Sequence, residues 1–106
     1  ELRFRLFDLS LGGMGALLDS AKPDGLVEGM RFTQIELDMG GWGRFYFDAQ
    51  LIAISERTVV DSTNETITTL RLSFRFLNVG PGAERELQRL IYTLEREERE
   101  RANKVL

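Results

Sequence analysis

The 106-residue sequence contains no cysteine and no histidine. Without cysteine there are no disulfides, thiolate metal sites or thiol nucleophiles, a usage that suits a reducing compartment. Without histidine the commonest metal ligand, the usual general base and any Ser-His-Asp triad are also gone. No apolar run approaches the roughly 20 residues of a membrane-crossing helix, so membrane insertion is not expected. A basic excess is missing too: 14 Lys and Arg against 17 Asp and Glu give a formal net charge of −3. That is the wrong sign for a general phosphate-backbone binder, and neither DNA nor RNA is an expected partner. The first residue is Glu1 rather than methionine and no basic-plus-apolar leader follows it, so the sequence reads as an excised fragment without a targeting segment.

What is present is one domain's length of chain, 42% hydrophobic and 29% charged, ordinary for a soluble globular unit. Leu2 to Asp8 alternate as a strand does, with Leu2, Phe4 and Leu6 on one face and Arg3, Arg5 and Phe7 on the other. A short apolar stretch, Met14 to Leu18, follows a glycine turn. Pro23, Asp24, Gly25 and Gly29 mark a loop whose Leu26 and Val27 are expected to tuck inward. A strand is expected from about Met30 to Asp38, then a turn at Met39-Gly40-Gly41-Trp42-Gly43, then a long strand from Arg44 to Ser55. In that strand Phe45, Phe47, Ala49 and Leu51 share one side. The turn Asp61-Ser62-Thr63-Asn64 leads into Thr66 to Leu77, where Leu70, Leu72, Phe74 and Phe76 oppose Arg71, Ser73 and Arg75.

After Gly80-Pro81-Gly82 the period changes. Leu87, Leu90, Ile91 and Leu94 form one apolar helical stripe, and Pro81 suits a helix start. Beyond Leu94 the helix is charged throughout, with Glu95 and Arg99, and Glu97 and Arg101, at acid-first i,i+4 spacing; this end is expected to project into solvent. The fold class expected is all-β: an antiparallel barrel or strongly curved sheet over about residues 1–78, capped by a C-terminal helix over about 82–102.

Enzyme signatures fail. Gly12-Gly13-Met14-Gly15 lacks the Gly-Lys-Ser/Thr ending of a P-loop, and Ser10 has no histidine to take its proton. Asp8, Asp38 and Asp48 border strands, where carboxylates ordinarily cap turns. No catalytic residue, metal site or cofactor is expected.

One segment carries chemistry: Asp8-Leu9-Ser10-Leu11-Gly12-Gly13, a strand end entering a turn with the form Asp-x-Ser-x-x-Gly. A carboxylate's two acceptor oxygens match the paired N–H donors of a guanine edge, a hydroxyl adds a donor or acceptor, and glycine permits close approach. The alternative is that Asp8 and Ser10 bond turn backbone while Gly12 and Gly13 supply its geometry.

The run Phe7 to Met14 closely resembles the second signature motif of PilZ domains, bacterial receptors for cyclic di-GMP. Nearly the whole chain fits in order, and the last strand Arg71 to Asn78 with the helix Glu86 to Glu97 resembles the YcgR-like flagellar brake subgroup, in which a PilZ domain follows a separate N-terminal domain. The resemblance implies a six-stranded antiparallel barrel with a C-terminal helix, here without its first strand. It implies cyclic di-GMP as ligand, with Asp8, Ser10 and Gly13 as the guanine-facing half of the site. It also implies flagellar motor proteins as partners and a cytoplasmic location at the flagellar basal body. The family's Arg-x-x-x-Arg motif, which meets the ligand's phosphates and guanines, does not precede Asp8 in this sequence. Arg3 and Arg5 have the wrong spacing; Arg71 and Arg75, and Arg85 and Arg89, have the right spacing but follow Asp8 and are not carried over. Binding by the sequence as it stands is accordingly expected to be weak, and an unpaired sheet edge is expected to be free to pair in a homodimer. Two other readings stay open: a PilZ-fold protein-interaction module that binds no nucleotide, and a small barrel binding single strands through Trp42, Phe45, Tyr46 and Phe47, which lacks a basic groove.

Overall fold

The computed structural model describes residues 3–20 and 22–104, the side chains as far as Arg99. Alternating sequence becomes five strands: β1 (Arg5–Leu9), β2 (Gly13–Leu18), β3 (Arg31–Asp38), β4 (Arg44–Val60) and β5 (Thr66–Leu77), followed by one helix, α1 (Pro81–Lys104). A single turn of 3-10 helix, Gly40–Trp42, joins β3 to β4. All neighbouring strands are antiparallel, in the order β1-β2-β5-β4-β3. The expected all-β class with a terminal helix is borne out, and the barrel is open, as expected of a sheet without its first strand. Among the described residues there are five strands, and β1 and β3 stand at the two edges of a curled half-barrel. Closure would need those edges to pair.

The first strand begins at Arg5 and ends at Leu9, later than the alternation from Leu2 suggests; Leu2 itself lies outside the described residues. β4 does not stop at Ser55. It continues to Val60, because Arg57–Val60 pair with Thr66–Thr69 in a ribbon that projects past β2, whose pairing with β5 begins at Leu70. At the ribbon's tip one oxygen of Asp61 accepts hydrogen bonds from the Thr63 hydroxyl and from the backbone N–H groups of Thr63 and Glu65. These donors, the Thr63 hydroxyl foremost, hold the Asp61 carboxyl below its ordinary pKa.

The inner face collects the apolar rows. Leu51, Leu70 and Leu72 are fully buried, with Met14, Ala16, Leu37, Phe47, Ala49, Phe74 and Phe76 around them. Phe45, expected in the core, is half-buried at its margin. Phe74 meets the rings of Phe4 and Phe32 at 6.1 and 5.9 Å, and Phe47 meets Phe76 at 5.1 Å. Burying each such side chain contributes about 1.5–3 kcal/mol. From the loop before β3, Leu26 is buried as expected, whereas Val27 is exposed.

The chain turns out of β5 at Asn78, whose φ of 55° is one that asparagine tolerates, and Pro81 opens the helix where its missing N–H costs nothing. The Gly80 carbonyl accepts the Glu84 N–H at 2.9 Å. Leu87 and Leu90 are buried, and Ile91 and Leu94 half-buried, so the stripe docks. The helix does not then leave freely: Ile91, Leu94, Glu95, Glu97 and Glu98 run beside Leu6–Leu9 of β1 and line a groove with them. Glu95 and Arg99 form no ion pair, and the side chain of Arg101 lies outside those described.

Leu72→Ala and Leu87→Ala are each expected to lower stability by about 2–5 kcal/mol in denaturant titrations, since both side chains are wholly enclosed. Tyr92→Ala, at a position 64% exposed on the same helix, is expected to stay within about 0.5 kcal/mol of the parent.

Candidate functional site

Strict alternation from Phe4 and Leu6 would turn Asp8 into the core. The β1–β2 register prevents this: Leu6 pairs with Ala16 and Asp8 with Gly15, so Phe7 is an extra residue in a β-bulge. Phe7 and Asp8 therefore both face outward and Leu9 returns to the core side, where it packs against the apolar cluster. A second bulge, at Ile52 of β4, does the same for Ala53 and Ile54, turning Ala53 out and Ile54 in. Ile52 itself stands on the outer face, 50% exposed.

β1 and β2 join through a tight turn closed by Ser10 and Gly13. The Ser10 N–H donates to the Gly13 carbonyl at 2.9 Å; the Ser10 hydroxyl lies 3.2 Å from that carbonyl and accepts the Gly13 N–H at 3.3 Å. Ser10 thus bonds turn backbone, as the alternative reading of the motif has it, while remaining exposed. Asp8 takes no part in the turn. Its carboxylate makes no hydrogen bond or ion pair to another described residue and so keeps its acceptor capacity unspent among them.

Two glycines make the floor. A Cβ on Gly13 would overlap the Phe74 carbonyl oxygen of the adjacent strand, and a Cβ on Gly15 would lie 2.5 Å from Asp8 Oδ1. Gly13 lets two backbones meet; Gly15 gives the Asp8 carboxylate its place. The neighbouring strand completes the wall, because Ser73 pairs with Gly15, Arg75 with Gly13 and Arg71 with Leu17. The result is a shallow outward depression of about 290 Å³ that gathers Asp8, Ser10, Gly13, Gly15, Ile52, Arg71, Ser73 and Arg75. Its volume is at the low end for small-ligand sites.

The structure therefore brings the three expected residues Asp8, Ser10 and Gly13 together and adds others. In the sequence Gly15 sits within the apolar stretch Met14 to Leu18 with no role of its own, although glycine inside a strand marks close approach by something else. Arg71, Ser73 and Arg75 were legible as one face of β5 but not as a wall of this site, since that depends on register with β2. Trp42 and Tyr46 lie elsewhere, on the β3–β4 hairpin. Tyr46 donates to Glu36 at 3.0 Å, which raises the phenol's pKa. Among the described residues no group of three or more acidic, histidine or cysteine side chains is placed to hold a metal ion. Among the described residues no helix is long and apolar enough to cross a membrane.

The two glycines are expected to fail differently. Gly13→Ala forces backbone against backbone and should lower the unfolding midpoint clearly. Gly15→Ala meets only the end of a side chain, so thermal melts should change little while the Asp8 resonances in a nuclear magnetic resonance spectrum move.

No family model matches the chain. The flagellar brake protein YcgR of Salmonella typhimurium is 77% identical over 104 residues, covering 98% of this chain and 43% of that protein. This chain thus spans less than half the length of that curated relative. Among solved structures, the PilZ domain of YcgR from Escherichia coli, determined with c-di-GMP, superposes with a TM-score of 0.88 and 72% identity, over 95% of this chain and 77% of that one. YcgR from Escherichia coli in complex with c-di-GMP gives a TM-score of 0.76 and 64% identity over 99% of this chain and 40% of the other. Likeness of that degree in both sequence and fold settles the lineage: the chain belongs to the PilZ domain family, among the PilZ domains of the YcgR flagellar brake proteins.

Proposed function

We propose that this domain is a cyclic di-GMP receptor module that regulates flagellar motility, with Asp8, Ser10 and Gly13 forming the guanine-facing part of its site. The observation that carries this reading is the outward Asp8 carboxylate, unpartnered among the described residues and standing on Gly15 in a depression that also holds Ser10 and Gly13. Relatives solved with c-di-GMP support the choice of ligand. Two carboxylate oxygens accept from the two N–H groups on one edge of guanine, a geometry that adenine does not offer. The glycine floor lets the flat base approach the sheet. The domain acts by binding, not catalysis: ligand contacts that differ between two arrangements of the protein shift it from one to the other. The YcgR kinship supports flagellar motor proteins as the partners reached through that shift, and a cytoplasmic place beside the basal body. The edges of β1 and β3, unpaired among the described residues, support pairing with a second copy.

Isothermal titration of the chain with c-di-GMP tests the ligand. Charge-assisted hydrogen bonds contribute about 1.5–3 kcal/mol, so Asp8→Ala is expected to weaken binding roughly ten- to hundredfold. Asp8→Asn, which replaces one acceptor with a donor, should do nearly the same. Unchanged affinity in both variants would remove Asp8 from the site.

A further inference from the structure

Surface arginines in this chain are in places quenched by carboxylates. Arg5 is held by both oxygens of Asp19 at 2.8 Å, and Arg44 lies 3.8 and 4.0 Å from Glu36 and Asp38. The two arginines in the wall of the depression are held in another way. Arg75 donates from Nη2 to Oε1 of Gln50 at 2.9 Å, and Gln50 is itself oriented by donating from Nε2 to the Gly29 carbonyl at 3.1 Å. The guanidinium carbon of Arg71 lies 4.6 Å from the centroid of the Phe7 ring. Both partners are neutral. They fix where each guanidinium sits, leave its charge uncompensated, and leave most of its five N–H donors unspent. Neither arginine forms an ion pair with a carboxylate among the described residues.

Position adds to charge. Arg71, Ser73 and Arg75 alternate on the outer face of β5, which spaces the two arginine Cα atoms about 13 Å apart along the strand. Ser73 lies between them opposite Gly15, the residue on which Asp8 stands. One side of the depression thus presents an acceptor and the other two oriented cations, with a floor of glycine between.

We infer that Arg71 and Arg75 are ligand-binding residues that take the phosphodiester charge of the bound nucleotide, a cationic wall supplied by the domain's own fifth strand. This rests on the cyclic dinucleotide reading above and assigns the ligand's polarity: base edge toward Asp8, phosphates toward β5. An anionic oxygen arriving at either arginine displaces no carboxylate, and the side chain is already ordered by Gln50 or Phe7. The planar fork of arginine matches phosphate oxygens two at a time. Gln50 is on this account a positioning residue, acting through Arg75.

The test is calorimetric titration with c-di-GMP at about 50 and 200 mM salt, on the parent chain, Arg71→Ala, Arg75→Ala, their lysine counterparts and Asp8→Ala, with circular dichroism confirming each fold. Each alanine variant is expected to weaken binding roughly ten- to hundredfold and to flatten the dependence of affinity on salt. The lysine variants, which keep the charge and lose the fork, should retain the salt dependence and recover part of the affinity. Asp8→Ala should weaken binding and leave the salt dependence unaltered. If both arginine-to-alanine variants bind as the parent does while Asp8→Ala does not, the cationic wall is wrong and the receptor reading stands. If the parent chain gives no binding at millimolar ligand, both fall together.

Discussion

Asp8 faces solvent because Phe7 occupies an extra place in β1 and because Gly15 offers no side chain across the ladder. Without the bulge, the alternation set by Phe4 and Leu6 would drive an ionised carboxylate toward Phe74 and the leucines of the core, at a cost of several kcal/mol. Without the glycine, the carboxylate would be outward but displaced. The bulge turns out Phe7 as well, and its ring is where Arg71 comes to rest. One added residue therefore places an acceptor and, through an aromatic face, helps place a cation on the far side of the same depression.

The core and the site are two faces of the same strands, so the packing of one fixes the register of the other. Met14, Ala16, Leu72 and Phe74 interlock inside; Gly13, Gly15, Ser73 and Arg75 are their neighbours outside. A slip of one residue between β2 and β5 would exchange the two sets entirely, exposing leucine and burying arginine. The apolar rows thus fix the geometry of the depression from the opposite face of the sheet. The bulge at Ile52 shows the same logic on β4, bringing Ile54 inward and leaving the small Ala53 beside the site where Ser73 pairs with it.

Local pattern revealed much of this. Period-two runs located β4 and β5 with their inner faces, the stripe from Leu87 to Leu94 located the docked helix, and Asp-x-Ser-x-x-Gly singled out three residues that the structure brings together. What stayed hidden depends on pairs far apart in sequence. Nothing near Arg75 shows that Gln50 will hold it, and nothing near Gly15 shows that Asp8 will lie against it. Bulges break the alternation by which strands are recognised, which is why Asp8 and Leu6 looked like residues of one face. The continuation of β4 to Val60 was hidden for the same reason: it is settled by which strand lies alongside, not by the strand's own residues.

The central claim is that the ligand lies on the outer face, over the glycines between Asp8 and β5. Titrating a nitrogen-15-labelled chain with c-di-GMP while following every backbone amide tests it most directly. The account predicts that shifts concentrate at Asp8 to Gly15 and Arg71 to Arg75, with Trp42, Tyr46 and the ribbon from Val59 to Ile67 unmoved. Shifts centred on the β3–β4 hairpin or on the groove beside Leu94, with the glycines silent, would contradict it.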